Sequence, residues 1–470
     1  MSSSKPSTEV TPPPEDASQA RAPSELLRMT PARAVWAVSW PMIALGLLKT
    51  SYFLIDSWFV GRLGPAALEA IGGAAFSWWM IHIACELAGV GTQALVSRHE
   101  GAGRRDLIPR AITQGLYVSA AMSVLLLALA PSAGLYFELL GFSSTDAARP
   151  LGEVFLTVSL GTAATTAVHS LLGSCFRALG DTRTALAIAA ITLVANALLD
   201  PLLIWGLPGV PGLGIAGAAW ATALANGVGA VVGLAVLSKR GLAPILDPPR
   251  LQRIGLIARI GTPITIAGIS FSLVYVALGR IINGYGTHHM AALGIGHRLE
   301  SLAYMVTVGF SVGAASMVGQ SLGAGWPQRA AQSARAAWWM CAAVLAPATV
   351  ILMLGAPWFF GLFTDDPAIV ASGTSYLRIQ ALVFLFMGLD VVYEGAFSGA
   401  GNTLPPLVIS AVFTTARIPL AWLLGGPLGL GIDGVWVAIA ATTAVRGAVA
   451  ALWWRRGRWA TALRNDEVAG

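Results

Sequence analysis

About a dozen apolar runs divide this chain, each long enough to cross a lipid bilayer. A spanning helix needs roughly 20 predominantly apolar residues. Runs such as 118–130 and 185–199, extended by their neighbours, reach that length. In lipid only helices and closed barrels satisfy every backbone polar group. The runs lack the alternation of barrel strands, so helices are the predicted element. Composition closes off the soluble alternative. Only 11% of the 470 residues are charged, against about 25% in a typical water-soluble domain. The 53 glycines suit helices that pack closely in a membrane. Spans are expected at about 34–60, 67–97, 109–139, 152–177, 183–208, 214–238, 256–283, 289–321, 331–362, 373–398, 405–428 and 432–454.

The net charge of +6 raises the question of a nucleic-acid partner. The basic residues answer it, because they sit between apolar runs instead of forming one patch. Arg98, Arg104, Arg105 and Arg110 flank the second loop, and Arg177 and Arg183 the fourth. Lys239, Arg240, Arg250 and Arg253 fill the sixth, Arg329 and Arg335 the eighth, and Arg455, Arg456 and Arg458 follow the last span. Odd-numbered loops hold few. The positive-inside rule then places both termini in the cytoplasm and requires an even number of spans. Residues 1–30 are rich in Ser, Pro and charge and have no apolar core before a cleavage site. No secretory signal is expected, and 1–33 reads as a disordered cytoplasmic tail. Cys85, Cys175 and Cys341 have no disulfide or ligand spacing and are expected to be buried thiols.

A polar connector at 239–255 divides the chain near its middle. The segments 34–238 and 256–455 resemble each other, and 456–470 forms a second tail. Gly64, Gly72, Gly91, Gly101 and Gly103 recur as Gly286, Gly294, Gly313, Gly323 and Gly325, each about 222 positions later with no gap. Gly180-Asp181-Thr182 matches Gly401-Asn402-Thr403 more loosely, and Leu213-Gly214-Ile215 matches Leu430-Gly431-Ile432. Halves of six spans each start from the same side, so an axis along the membrane normal should relate them. The predicted fold is all-α and polytopic: about twelve transmembrane helices in two pseudo-symmetric six-helix lobes around a central cavity. That is the build of a transporter.

Intramembrane carboxylates are costly and mark functional sites by default. Asp56 lies within the first span and Asp200 within the fifth. Asn196 and Asp200 are one helical turn apart and share a face. Thr222 in the sixth span offers a hydroxyl, with Ala218 one turn before it. Pro201 cannot donate to the carbonyl of Ala197, which leaves that oxygen available. These groups make an all-oxygen set suited to a hard monovalent cation. Asp56, Asn196, Asp200 and Thr222 would ligate sodium if sodium is the coupling ion. The same carboxylates would carry a proton if burial and mutual repulsion raise one of them, and the residues do not choose between the two. The plainer reading is that both acids only hydrogen-bond helix ends. The repeat argues against it: Asp56 faces Leu278, Asn196 faces Arg417 and Asp200 faces Ala421, so the second half kept the scaffold and lost the acids.

Several stretches resemble the multidrug and toxic compound extrusion (MATE) family. They are Asp56-Ser-Trp-Phe-Val-Gly-Arg-Leu-Gly64, Leu199-Asp-Pro-Leu-Leu-Ile204, Gly217-Ala-Ala-Trp-Ala-Thr222 and Val318-Gly-Gln-Ser-Leu-Gly-Ala-Gly325. The resemblance covers nearly all of 34–455. It implies twelve helices in two lobes, exporting amphipathic, often cationic small molecules against an inward flow of sodium ions or protons. It also implies a monomer without cofactor, in the inner (plasma) membrane. The seventh span carries no Glu, which is similar to the DinF-like branch, whose coupling site lies in the N-lobe. In that family Asp56, Asn196, Asp200, the Ala218 backbone and Thr222 match cation-site positions.

Other residues carry weaker expectations. Pro41 permits a kink in the first span, and ion binding at Asp56 is expected to change that bend. Pro201 is a second bending point. Lys49, seven residues before Asp56, either neutralises an acid or lines the cavity. In the C-lobe Arg298, Glu300 and Asp390 are candidates for substrate contact or modulation, and Glu394 for capping. The family's C-lobe acid would align near Met387, so it is not carried over. His169 and His297 are expected to be buried and hydrogen-bonded. Trp78, Trp79, Trp453 and Trp454 suit the membrane interface or packing. A lipid-linked precursor flippase of the same superfamily is the alternative function. An integral membrane enzyme is weaker still, because no metal-ligand or nucleophile–base spacing is present.

Overall fold

The computed structural model describes residues 25–461 apart from 141 and 208. The side chains of 49–58, 61, 68, 76, 207, 210 and 287 also lie outside the description. The described residues are overwhelmingly helical. Ten helices are long and apolar enough to cross a membrane, and twelve spans result when two bent pairs are each counted as one.

The N-lobe spans are Pro31–Gly61, Pro65–Gly101, Ile108–Leu129, the pair Ala148–Gly161 and Ala163–Ala178, Thr182–Ile204 and Ile215–Lys239. The C-lobe spans are Leu251–Asn283, Thr287–Gly323, Pro327–Leu354, the pair Pro367–Ala381 and Phe384–Gly399, the pair Leu404–Thr415 and Arg417–Gly425, and Gly431–Arg455. The fourth span bends by 52° and the tenth by 55°, so the breaks fall at the same place in both halves. Between the fifth and sixth spans Gly206–Leu207 pairs antiparallel with Val210–Pro211.

The second and eighth spans are the most enclosed of the ten unbroken ones, and they carry the seam between the lobes. A Cβ added at Gly101 would overlap the carbonyl of Gln320, and one at Gly323 would overlap the carbonyl of Arg98. Arg98 and Gln320 are themselves repeat mates, so this is one contact made twice. The same exchange relates Gly91 against Ile257 to Gly313 against Val35. Side-chain bonds follow it too: Arg98 Nη2 donates to Ala400 O at 3.3 Å, and Gln320 Nε2 donates to Ala178 O at 2.9 Å. A pseudo-two-fold axis therefore passes between the second and eighth spans. Small residues are needed there because helices in lipid associate by close backbone packing. This seam lies at the ends of those spans that carry the arginine-rich loops. Toward the other ends, Gly72, Ala75, Trp79 and Glu86 of the second span and Ala291, Gly294 and Arg298 of the eighth are exposed.

Residues before position 34 are also folded. Glu25–Arg28 is a helical turn whose Leu27 is 3% exposed in the C-lobe core. Arg329 Nη2 donates to the carbonyls of Leu26 and Met29. The expected disorder of 1–33 is corrected for 25–33, because two adjacent leucines gave the segment something to bury. Residues 1–24 lie outside the described residues. At the other end Trp459 stacks on Trp454 at 4.0 Å, so Trp454 is a packing residue. The connector between the lobes is pinned to the third span. Gln114 Nε2 donates to Asp247 Oδ2 at 3.0 Å, and the Arg250 backbone N–H donates to Gln114 Oε1 at 2.8 Å.

Candidate functional site

The fifth span delivers the acidic site. Its N-cap is Asp181, and its apolar body carries Asn196 and Asp200 on one buried face. Asp200 is fully buried, and Asn196 Nδ2 donates to Asp200 Oδ1 at 2.9 Å. That bond uses the amide's donor side and leaves its oxygen as an acceptor. The structure thus brings these two predicted residues together through the one-turn spacing that joined them in the sequence. Pro201 lies inside the helix directly after Asp200.

The sixth span packs along the fifth and brings Ala218 and Thr222. Thr222 Oγ1 donates to Ala218 O at 3.1 Å. A hydroxyl has one proton, so this bond leaves only lone pairs on Thr222. Thr222 also lines a small cavity with Trp78, His82, Ser159, Thr162 and Thr166. Nearby, Asn226 Nδ2 donates to Thr166 Oγ1 at 3.0 Å. The backbone of the first span is helical through 56, but the side chains of Asp56 and Lys49 lie outside the described residues. Among the described residues no three His, Cys, Asp or Glu side chains group as a metal site.

Pro41 lies inside the first span, and the seventh span has Pro263 at the repeat register of about 222. Both lobes therefore carry a proline in the first half of their leading helix.

The C-lobe candidates form a different arrangement. Asp390 is buried and pairs with Arg446 Nη2 at 2.9 Å, while Arg446 Nη1 donates to Thr414 Oγ1 at 3.0 Å. Glu300 accepts from Tyr376 Oη at 2.8 Å. Arg298, two residues away, is exposed, so the two point to different faces. His297 lies half-buried between the rings of Tyr275 and Tyr376, at 5.1 and 6.1 Å. His169 is half-buried too, and the three cysteines are free and buried. Arg417 is buried under Phe271 and Tyr275.

Two charged positions escaped the sequence reading. Arg446 and Glu86 both lie inside apolar spans, and the rule that singled out Asp56 and Asp200 applies equally to them. The threonines and tyrosines around the arginines carry no comparable signal.

Together these features define a polytopic helical membrane protein of two pseudo-symmetric lobes, with polar groups buried inside each. The family model MatE matches residues 41–202 and again 263–423. These two matches begin at the repeat-related prolines and cover more than half of the chain. The chain belongs to the MatE family of membrane transporters. A probable multidrug resistance protein NorM of Thermotoga maritima is 28% identical over 426 residues, covering 89% of this chain and 91% of that protein. Two solved structures share the fold at 24% identity. One, described as a MATE in the straight conformation, has a TM-score of 0.84 and covers 94% of this chain and 100% of its own. The other, in the bent conformation, has a TM-score of 0.85 and covers 95% and 100%.

Proposed function

We propose that this protein is a secondary active multidrug efflux transporter of the DinF-like branch. It exports amphipathic or cationic small molecules from the cytoplasm by alternating access of a central cavity. Inward flow of sodium ions or protons through the N-lobe drives it. The chain works as a monomer in the inner (plasma) membrane with both termini cytoplasmic, and it performs no enzymatic chemistry.

The observation that carries this reading is the buried Asn196–Asp200 pair, on a span packed against the one whose Thr222 hydroxyl has already spent its proton. A buried carboxylate in a spanning helix is expensive. A mobile ion or proton that neutralises it during each cycle supplies a reason to keep it. Asp56, Asn196, Asp200, the Ala218 carbonyl and Thr222 form the coupling set. Pro41 and Pro201 let their helices bend as the ion arrives and leaves. Lys49, Arg298, Glu300 and Asp390 tune the cavity.

The test is export of an organic cation from sealed vesicles under imposed sodium or proton gradients. Asp56→Asn and Asp200→Asn are each expected to slow gradient-driven export at least about tenfold. Parent-rate export by both variants would eliminate the site. Export indifferent to both gradients in the parent would favour the flippase reading.

A further inference from the structure

At the repeat register of about 221, the eleventh span holds Arg417 where the fifth holds Asn196, and Ala421 where the fifth holds Asp200. Arg417 is 3% exposed and every one of its nitrogens has a partner. Nε donates to Thr442 Oγ1 at 3.0 Å, Nη2 to Thr443 Oγ1 at 2.8 Å and Nη1 to Tyr275 Oη at 3.2 Å. Its guanidinium carbon lies 5.6 Å from the ring centres of both Phe271 and Tyr275, a distance at which aromatic faces attract cations.

The threonines show what kind of pocket this is. Thr443 Oγ1 donates to Ile439 O at 2.9 Å, and Thr442 Oγ1 lies 2.9 Å from Ala438 O. Their protons are spent on helix carbonyls, so lone pairs alone meet the guanidinium. Thr222 in the N-lobe uses the same device on Ala218. In both pockets the threonine hydroxyls thus present only lone pairs, and both pockets gather groups from the fifth and sixth spans of their lobe. In the C-lobe the first span of the lobe joins through Tyr275.

The surrounding charges are committed elsewhere. Asp390 is paired with Arg446, and Glu300 accepts from Tyr376. His297 faces Tyr275 and Tyr376. Among the described residues no carboxylate lies at ion-pair distance from Arg417. An arginine charge is permanent, and its tether prevents it from leaving. Its bond to Tyr275 also fixes the seventh span beyond Pro263 to the eleventh and twelfth spans, on the far side of the proline that matches Pro41.

We infer that Arg417 is a resident cation: it occupies permanently, in the C-lobe, the place that an exchangeable ion takes in the N-lobe. The C-lobe is thereby held in its ion-loaded arrangement, and ion-driven bending is confined to the N-lobe. This inference rests on the N-lobe coupling site proposed above.

Hydrogen exchange of the full-length purified protein tests it, with sodium compared against choline. A pH step, corrected for intrinsic exchange, tests protons. In the parent, the ion should change protection in the first, fifth and sixth spans and leave the seventh, eleventh and twelfth unchanged. Equal responses in both sets would overturn the inference. Arg417→Met should speed exchange in the C-lobe set by about tenfold, the loss of one charge-assisted hydrogen bond, and Arg417→Lys should restore part of it. Unchanged exchange in Arg417→Met would also overturn it.

A merely structural arginine is separated by transplanting the acidic pair. Arg417→Asn with Ala421→Asp, in an Asp200→Asn background, should move the ion response to the C-lobe spans. A folded triple variant without that response counts against the inference. Should the triple variant not fold, the parent and Arg417→Lys measurements still decide. An ion response that survives Asp200→Asn in the N-lobe would instead break the coupling-site reading, while the Arg417→Met result stays readable.

Discussion

The fifth and eleventh spans occupy equivalent places in the two lobes and store opposite charge there. The fifth buries Asn196 and Asp200, while the eleventh buries Arg417 and has Ala421 at the position of the acid. The backbone contacts at the seam between the lobes show no such divergence, since Gly101 meets the Gln320 carbonyl just as Gly323 meets that of Arg98. The difference separates two kinds of constraint. Where backbones touch, only the smallest residue fits, and both halves keep it. Inside a lobe a polar group needs only local partners, so one lobe can invert its charge provided it supplies new acceptors. The C-lobe did so with Thr442, Thr443 and Tyr275.

The sharpest way to probe the C-lobe's self-sufficiency is to break its ion pair. Arg446 and Asp390 are 11% and 12% exposed and 2.9 Å apart. Arg446→Met strands a carboxylate, and loss of one partner of a buried pair costs about 3–5 kcal/mol. Arg446→Met combined with Asp390→Leu should recover most of that, because replacing both charges is often neutral. Thermal unfolding of purified protein measures both. Recovery of gradient-driven export in the double variant would show that the pair serves the lobe's stability. Recovered stability without recovered export would give Asp390 a part in transport.

The seam predicts equality where the interiors differ. Gly101→Val and Gly323→Val each push a side chain into a backbone carbonyl of the facing lobe. Overpacking of this kind costs about 1–3 kcal/mol, and the two variants should lose the same amount. Unequal losses in melting temperature would show that the pseudo-two-fold axis does not govern the seam. Neither substitution meets Asn196, Asp200 or Arg417, so the ion dependence of whatever export remains should match the parent.

Much of this is legible in the sequence. Apolar run length gave the spans, and five glycines in one register gave the repeat; close helix approach requires Gly91 and Gly101 and their mates, and a positive φ favours Gly64 and Gly103 and theirs. Asp56 and Asp200 stood out through the cost of charge in lipid, and Asn196 through its one-turn spacing from Asp200. Arg446 and Glu86 obeyed the same rule but were overlooked among longer apolar runs. Hydroxyl partners such as Thr442, Thr443 and Tyr376 had no signal, since threonine and tyrosine are common in spans for packing alone. The tail at 25–33 was misread because its Ser, Pro and charge content outweighed Leu26 and Leu27, whose value depends on a C-lobe surface invisible in the sequence.

The smallest test concerns Asp181 and its C-lobe mate Asn402, outside the spans. Asp181 caps the fifth span by accepting from the Thr184 backbone N–H at 3.1 Å and from Thr184 Oγ1 at 2.6 Å, and it pairs with Arg240 Nη1 at 2.6 Å. Burial alone would raise its carboxyl, but the Thr184 hydrogen bonds and the Arg240 guanidinium hold it below the usual carboxylate range. A depressed carboxylate stabilises the fold above its unfolded pKa of about 3.9, and that stability is lost as pH falls through the lower folded value. Asp181→Asn makes the two lobes alike here. Asparagine caps a helix about as well as aspartate, so the variant gives up only a partly exposed ion pair, worth about 0–1 kcal/mol. Its melting temperature near neutral pH should therefore fall by little, and the acid-side loss of stability attributable to this cap should disappear. Asp181→Ala removes the cap as well, at a further cost of about 1 kcal/mol. Equal losses for the asparagine and alanine variants would mean that the ion pair, absent from the C-lobe mate, carries the cap's whole contribution.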